Sequence, residues 1–430
     1  MKRKILTLAV AAALTPMVAH ADVKLSGVVQ AEAASWEAAG GDENAYWINS
    51  NNNPNAEGRQ TFTNDAAGAI LNEGPNGIQF DFDEKLGDSG VRAYGRYAAG
   101  FNTSDNNGLN GKAEAWAGLK GSNLYMKYGT LTGAYKSSRN HVDPWSYTSL
   151  QASGTGGGMT GETFNNVSSA LNANNRRQVA ATPYTYYHNG ERQDITVNDE
   201  YLVSRDSTNG MGIGLTNEGF VDGALEVGVK MGGFIARIQG VLDDRSDMNG
   251  AGLLELRYAA PNFAMWVAGA YTDLDLQGRV TDFGEDIKDT VTGDDVEEED
   301  ASGLANWKVG GSFKLGSLIK FGLQYEDAEI GAFENNPDGG QYILTSFELG
   351  SDTGLTFAGW VGLYSSDITE SQRMLDREGN PMDEDALNWA VGVKYLFSNR
   401  TMVYGGYRQT DSDNDYRDEN VAVLGIRHSF

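Results

Sequence analysis

Few side chains in this sequence are of a kind that performs covalent chemistry. There is no cysteine in 430 residues, which excludes a thiolate nucleophile, a thiolate metal site and a disulfide framework. Of the four histidines, His20 lies in the N-terminal leader, leaving His141, His188 and His428, and none of these stands in a nucleophile motif. Two acid-rich stretches, Asp273–Asp300 and Asp411–Glu419, could attract a divalent cation. The second has aspartates at alternate positions like a calcium loop, yet Tyr416 stands where the tight-turn glycine belongs and no correctly spaced glutamate follows. Both read as solvated loops. No metal site, no cofactor and no enzymatic activity is expected.

What remains is fixed charge at a spacing of two. In Val91–Phe101 (VRAYGRYAAGF), Arg92, Tyr94 and Arg96 share one face of an extended segment, and Val91, Ala93, Gly95 and Tyr97 share the other. The same register places Lys230, Arg237, Arg257, Lys308, Lys314, Lys320, Lys394, Arg408 and Arg427 opposite apolar neighbours. Acids on that face are fewer: Asp81, Asp83, Glu226, Glu255, Glu326 and Glu348. A wall greasy on one side and charged on the other suits lipid outside and water inside, where charge screens solutes by size and sign. Any water-filled interior tolerates charge, so only the Arg92/Arg96 pair is singled out.

The elements that must carry these residues are hairpins. The clearest is Gly252–Asp273, with the dipeptide Pro261-Asn262 at its turn and Leu254, Leu256, Tyr258, Phe263, Met265 and Val267 on one face. Others are Gly223–Met231 with Phe234–Asp243, Trp307–Leu315 with Leu318–Glu326, Gln341–Leu349 with Gly354–Ser365, and Ala386–Leu396 with Arg400–Gln409. Ahead of them come Val23–Ser35, Gly77–Glu84, Val91–Phe101, Lys112–Gly121 and Asn123–Thr130, and Asn420–Phe430 closes the set. Sixteen strands joined by short turns on one side and long polar loops on the other predict a transmembrane antiparallel up-and-down β-barrel. Trp266, Tyr258, Trp360, Trp389 and Tyr395 are expected at its membrane interfaces.

The ends of the chain agree. Lys2, Arg3 and Lys4 precede an apolar run, Ile5–Leu14, and Ala19-His20-Ala21 is a small-x-small site, so residues 1–21 read as a cleaved signal peptide. Removing those three cations takes the formal charge from −26 to −29, which rules out binding nucleic acid through its phosphates. The mature chain, 22–430, is a single domain. Its last strand ends on a free aromatic, Phe430, and resembles the closing strand of bacterial outer-membrane barrels, where a terminal aromatic is the signal read by the barrel assembly machinery.

One segment, 131–222, is left outside the strands and is rich in Gly, Asn, Ser and Thr. A loop so long signals function or a wrong assignment. Within it, Asp194–Arg205 and Met211–Thr216 could pair and raise the count to eighteen. That would put Asp199 on the lipid side at a cost on the order of a kcal/mol or more, and sixteen is preferred.

Three passages carry a family resemblance. Asn76–Asn102 and Ala113–Leu131 are similar to the second to fifth strands of the general porin family of Gram-negative outer membranes, and Gly425–Phe430 to its last. The resemblance implies a water-filled channel in the cell outer membrane passing ions and small hydrophilic solutes, and a homotrimer among membrane lipid and lipopolysaccharide. It further implies a third extracellular loop folded into the lumen as a constriction, which would be 131–222. The candidates there are Lys136, Arg139, Asp143, Glu162, Arg176 and Arg177. The bases outnumber the acids, unlike the acidic loops usual in the family, and Gly77 stands where a wall arginine is usual, so the eyelet chemistry does not transfer directly. A substrate-specific channel, a non-channel barrel and a secreted soluble β-protein are the alternatives.

Overall fold

The computed structural model describes residues 22–38, 59–64, 76–101, 103, 108–109, 114–135, 139–152, 183–188, 191–196, 220–241, 248–274, 304–329, 339–350, 353–366, 385–413 and 419–430. Its strands are β1 (Asp22–Ala38), β2 (Arg59–Asn64), β3 (Gly77–Lys85), β4 (Arg92–Gly100), β5 (Ala115–Lys120), β6 (Leu124–Thr132), β7 (Pro183–His188), β8 (Glu191–Thr196), β9 (Phe220–Met231), β10 (Phe234–Val241), β11 (Met248–Ala259), β12 (Phe263–Leu274), β13 (Leu304–Leu315), β14 (Ile319–Glu329), β15 (Gly339–Gly350), β16 (Gly354–Ser366), β17 (Ala386–Ser398), β18 (Thr401–Ser412) and β19 (Glu419–Ser429). A four-residue helical turn, α1 (Arg139–Val142), lies between β6 and β7.

All but β7 and β8 join one antiparallel sheet that closes on itself, because β1 pairs with β19 along Val28–Ala38. Closure leaves no unpaired edge. β1 pairs with β3 through Asp22–Val28 and with β2 through Glu32–Glu37, so β2 and β3 share one place in the wall. The barrel therefore has sixteen strand positions. The short strand β2 was not expected from the sequence. β6 pairs directly with β9, and β7 and β8 pair only with each other as a separate two-stranded sheet. That direct pairing leaves no place for two more wall strands there. Residues 197–219, which include Asp199 and most of the alternative hairpin, lie outside the described residues.

The wall obeys the period of two. Phe80, Phe82, Leu254, Leu256, Phe321 and Leu323 are among the large apolar side chains exposed on the outer face. Exposed apolar surface of this extent needs lipid around it. Residues between them turn inward, where the buried clusters sit. Val142, Trp145, Leu150 and Ala152 pack there with Trp266, Tyr342, Trp360 and Tyr404, while Leu131, Ala134 and Tyr135 pack with Ala224, Leu253 and Ala268. Two interfacial assignments are thereby corrected. Trp266 and Trp360 are each 1% exposed on the inner face, each flanked along its strand by outward residues, with their indole N–H groups donating to Gln324 and to the carbonyl of Leu150. Tyr258 and Tyr395 do face outward, against Phe263 and Phe397.

The pairing of β1 with the end of β19 requires a glycine at position 27. A Cβ on Gly27 would lie 2.4 Å from the ring of Phe430 and 2.6 Å from the carbonyl of Gly77. Gly27 and Phe430 instead exchange backbone hydrogen bonds of 3.2 and 3.0 Å.

Candidate functional site

The inner face divides into two parts, an uncovered charged wall and a wall overlaid by the chain itself. On β3–β5 the inward row is partly open to solvent. Arg96 Nε donates to Asp81 Oδ1 at 2.8 Å and its Nη1 to Glu114 Oε2 at 2.6 Å. Arg92 and Lys120 both reach Asp83, each at 2.5 Å. Side-chain exposure is 36% for Arg92 and 32% for Arg96, so water reaches this row. Aromatic rings interleave with the charges. Tyr94 meets Trp116 edge-on at 5.0 Å, and Lys120 and Lys127 lie 4.9 Å from the rings of Tyr94 and Trp116 respectively. Solvent-exposed ion pairs contribute only about 0–1 kcal/mol each. The stability of the barrel does not rest on this ladder. Farther round, Glu226 and Glu255 are both 1% exposed and hold Arg237 between them, at 3.4 and 2.5 Å. Such a buried triad is costly to break from one side, because the remaining charge is left unpaired.

From β10 round to β1 the wall is overlaid by residues 133–135 and 139–152. Ala134 N donates to Gln239 Oε1 at 2.7 Å, and Tyr135 OH to Glu326 Oε1 at 2.7 Å. The burial of Tyr135 and the neighbouring Glu326 carboxylate raise its phenol well above the ordinary tyrosine range. His141 sits against Trp266, ring centroids 5.6 Å apart, and accepts from Arg257 Nη1. Burial, and next the Arg257 guanidinium, push His141 down to about 4, which keeps it a neutral acceptor at pH 7. Ser346 donates to the carbonyl of Val142, Lys394 to the carbonyl of Pro144, and Trp360 Nε1 to that of Leu150 at 2.8 Å. Inward glycines make room: a Cβ on Gly322 would lie 3.0 Å from Val142, on Gly392 2.8 Å from Trp145, and on Gly406 2.6 Å from Leu150. Asp143 braces the segment from within, accepting from Trp145 N at 2.8 Å and Ala152 N at 2.9 Å.

The residues singled out in the sequence thus have different surroundings. Arg92, Tyr94 and Arg96 come together on the open row. Lys230 is exposed near the short-turn end of β9, and Lys320 bonds Glu348 at 3.0 Å. Lys308 is 0% exposed, with its Nζ 4.1 Å from the Tyr135 ring, and Arg408 is 3% exposed against the carbonyl of Gln151. Arg427 donates to the carbonyls of Ser146 and Tyr147. Arg139 lies in α1, whereas Lys136, Glu162, Arg176 and Arg177 lie outside the described residues. Sequence reasoning passed over Gln30, Glu32, Glu114, Trp116, Lys127 and Gln239. For Gln30 and Glu32 the signal was present, because Val29, Ala31 and Ala33 alternate with them as outward residues.

A family model described as Gram-negative porin matches residues 7–428. No curated protein matches the chain. Among solved structures, the fold is similar to the anion-selective porin from Comamonas acidovorans, at 14% identity over 96% of this chain and 100% of that one, with a TM-score of 0.58. OmpF of Salmonella typhi, in complex with daunomycin, is similar at 15% identity over 95% and 97% of the two chains, TM-score 0.52. OmpT expressed in the outer membrane of Vibrio cholerae is similar at 12% identity over 97% and 99%, TM-score 0.51. Identities this low establish a shared fold; the match along almost the whole sequence establishes more. The chain belongs to the Gram-negative porin family and forms an outer-membrane channel for passive diffusion.

Proposed function

We propose that residues 133–135 and 139–152, which lie in the 131–222 connection, form the constriction of this channel, and that solutes pass between them and the charged row on β3–β5. The observation that carries this reading is the run of hydrogen bonds from Gln239 round to Arg427 that holds the segment against the inner wall. A strap held at so many points narrows the lumen permanently and needs no gating event. The open row carries Arg92, Arg96 and Lys120, each in contact with a carboxylate of Asp81, Asp83 or Glu114. Its field is therefore strong at contact and weak at a distance, and the channel sorts small hydrophilic solutes by size more than by sign. The chain acts as a channel and not as an enzyme. Its partners are two further copies of itself, the assembly machinery that reads Phe430, and the lipid and lipopolysaccharide around the barrel.

Liposome swelling with uncharged saccharides of graded size tests this reading. Swelling that falls steeply with solute size, and differs little between small cations and anions, is the expected result. Absence of swelling with the smallest sugar would overturn it.

A further inference from the structure

The barrel has one seam, where β1 meets β19, and the strands paired there are joined by no hairpin. Residues 146–149 lie across its inner side. Arg427 of β19 donates from Nη2 to the carbonyls of Tyr147 (2.6 Å) and Ser146 (3.3 Å). Gln30 of β1, directly opposite Arg427, donates from Nε2 to the same Tyr147 carbonyl at 2.7 Å and accepts Arg427 Nε at 2.5 Å. Two residues along β1, Glu32 accepts the backbone N–H and the hydroxyl of Ser149 together with the hydroxyl of Tyr404 on β18. Tyr147 has φ 66°, the one positive value at a non-glycine among the described residues. That conformation is unfavourable for a bulky side chain and persists only where surrounding contacts enforce it. Here the enforcing contacts are two donors from opposite ends of the chain, 397 residues apart.

The other anchors of 133–135 and 139–152, such as Gln239, Glu326 and Trp360, hold them to strands that hairpins and neighbouring connections already keep in sequence order. Among the described residues only 146–149 bridges first strand to last, across the pairing that carries the greatest chain-closure cost. We infer that Ser146–Ser149 is an internal staple on the closing seam, seated by Gln30, Glu32 and Arg427 as positioning residues. The seat exists only after β1 and β19 have paired, so closure of the wall precedes seating of the strap, and the seated strap then resists reopening. Its consequence for flow rests on the reading of 139–152 as the constriction; its consequence for the seam does not.

The absence of native cysteine allows a clean test. Gly27 and Phe430 exchange both backbone hydrogen bonds, so Val28 and Ser429 form the adjacent non-hydrogen-bonded pair. Such Cα atoms stand about 4.5 Å apart, within the span of a disulfide. In the Val28→Cys/Ser429→Cys background the seam is locked when oxidised and open when reduced. Heat-unfolding midpoints, read from gel mobility, are compared in both states for the parent, for a variant with 144–151 replaced by a short Gly/Ser linker, and for Tyr135→Phe, which loses the hydrogen bond to Glu326 on β14, away from the seam. The linker variant should lose several degrees with the seam open and far less with it locked, while Tyr135→Phe loses the same in both. A loss for the linker variant that is equal in both states, or no loss, would overturn the staple. Should the linker variant not fold, Ser149→Ala gives the same comparison on a smaller scale. Single-channel conductance on the same samples separates the two readings: seam-dependent loss without any rise in conductance keeps the staple and removes the constriction.

Discussion

His141 sits on the strap as an uncharged acceptor, facing Arg257 and Trp266, with Glu255 and Lys320 the other charges acting on it. Its seated value is about 4, against about 6.5 for a free imidazole. Between those values the released strap binds more protons than the seated one, so seating weakens as the pH falls from about 6.5 toward 4 and is fully supported above that window. Acidification through this window should increase current fluctuations in single-channel records, and His141→Gln should flatten that dependence. An unchanged pH dependence in the variant would assign the effect elsewhere. At this scale the sequence was only half legible. Alternation placed Arg92, Tyr94 and Arg96 on the inner face, because lipid outside enforces a strict period. It could not show that Lys308, Arg408 and Arg427 lie beneath a strap, since the covering segment carries no periodic signal. Trp266 and Trp360 were misassigned because residue type was allowed to override register: each falls between two outward neighbours, and each indole meets a partner inside.

Among the elements, β19 and its partner β1 carry the sharpest expectation. The ring of Phe430 lies where a side chain on Gly27 would project, so Gly27→Val forces overpacking at the seam, at about 1–3 kcal/mol. Loss of Phe430 removes both backbone bonds to Gly27 and the terminal aromatic together. Both variants should lower the yield of heat-modifiable barrel in outer membranes, the deletion more severely. Normal yield of the deletion variant would contradict the role given to this terminus. Strand existence was readable throughout β9–β19, where long alternating runs meet short turns. β2 was missed because six residues flanked by polar sequence give too short a run for a period to declare itself. The strands β7 and β8 have tight-turn chemistry in His188-Asn189-Gly190-Glu191. Their separation from the wall follows from the β6–β9 pairing, a contact between strands almost a hundred positions apart that no local pattern reveals.

For the whole molecule, charge is distributed unevenly. The formal charge of −26 includes the run Asp294, Asp295, Glu297, Glu298, Glu299 and Asp300 in the connection between β12 and β13, whereas on the open inner row Arg92, Arg96 and Lys120 are paired with Asp81, Asp83 and Glu114. Charges in solvent act over a Debye length of about 10 Å at 0.1 M salt and about 3 Å at 1 M. Neutralising those six acids should shift the reversal potential toward anions at low salt and leave it nearly unchanged at 1 M, where the inner row gives weak anion selectivity. Strong cation selectivity at 1 M would sink the assignment of Arg92 and Arg96 to the conducting path. The proposed narrowing of the lumen by residues 139–152 is tested most directly by single-channel conductance in a planar bilayer, wild type beside the variant lacking 144–151. The strap leaves every wall strand intact when removed, so a clear rise in conductance from a barrel that still migrates as folded is the expected result. Equal conductance in the folded variant would contradict the account and place the strap outside the path of flow.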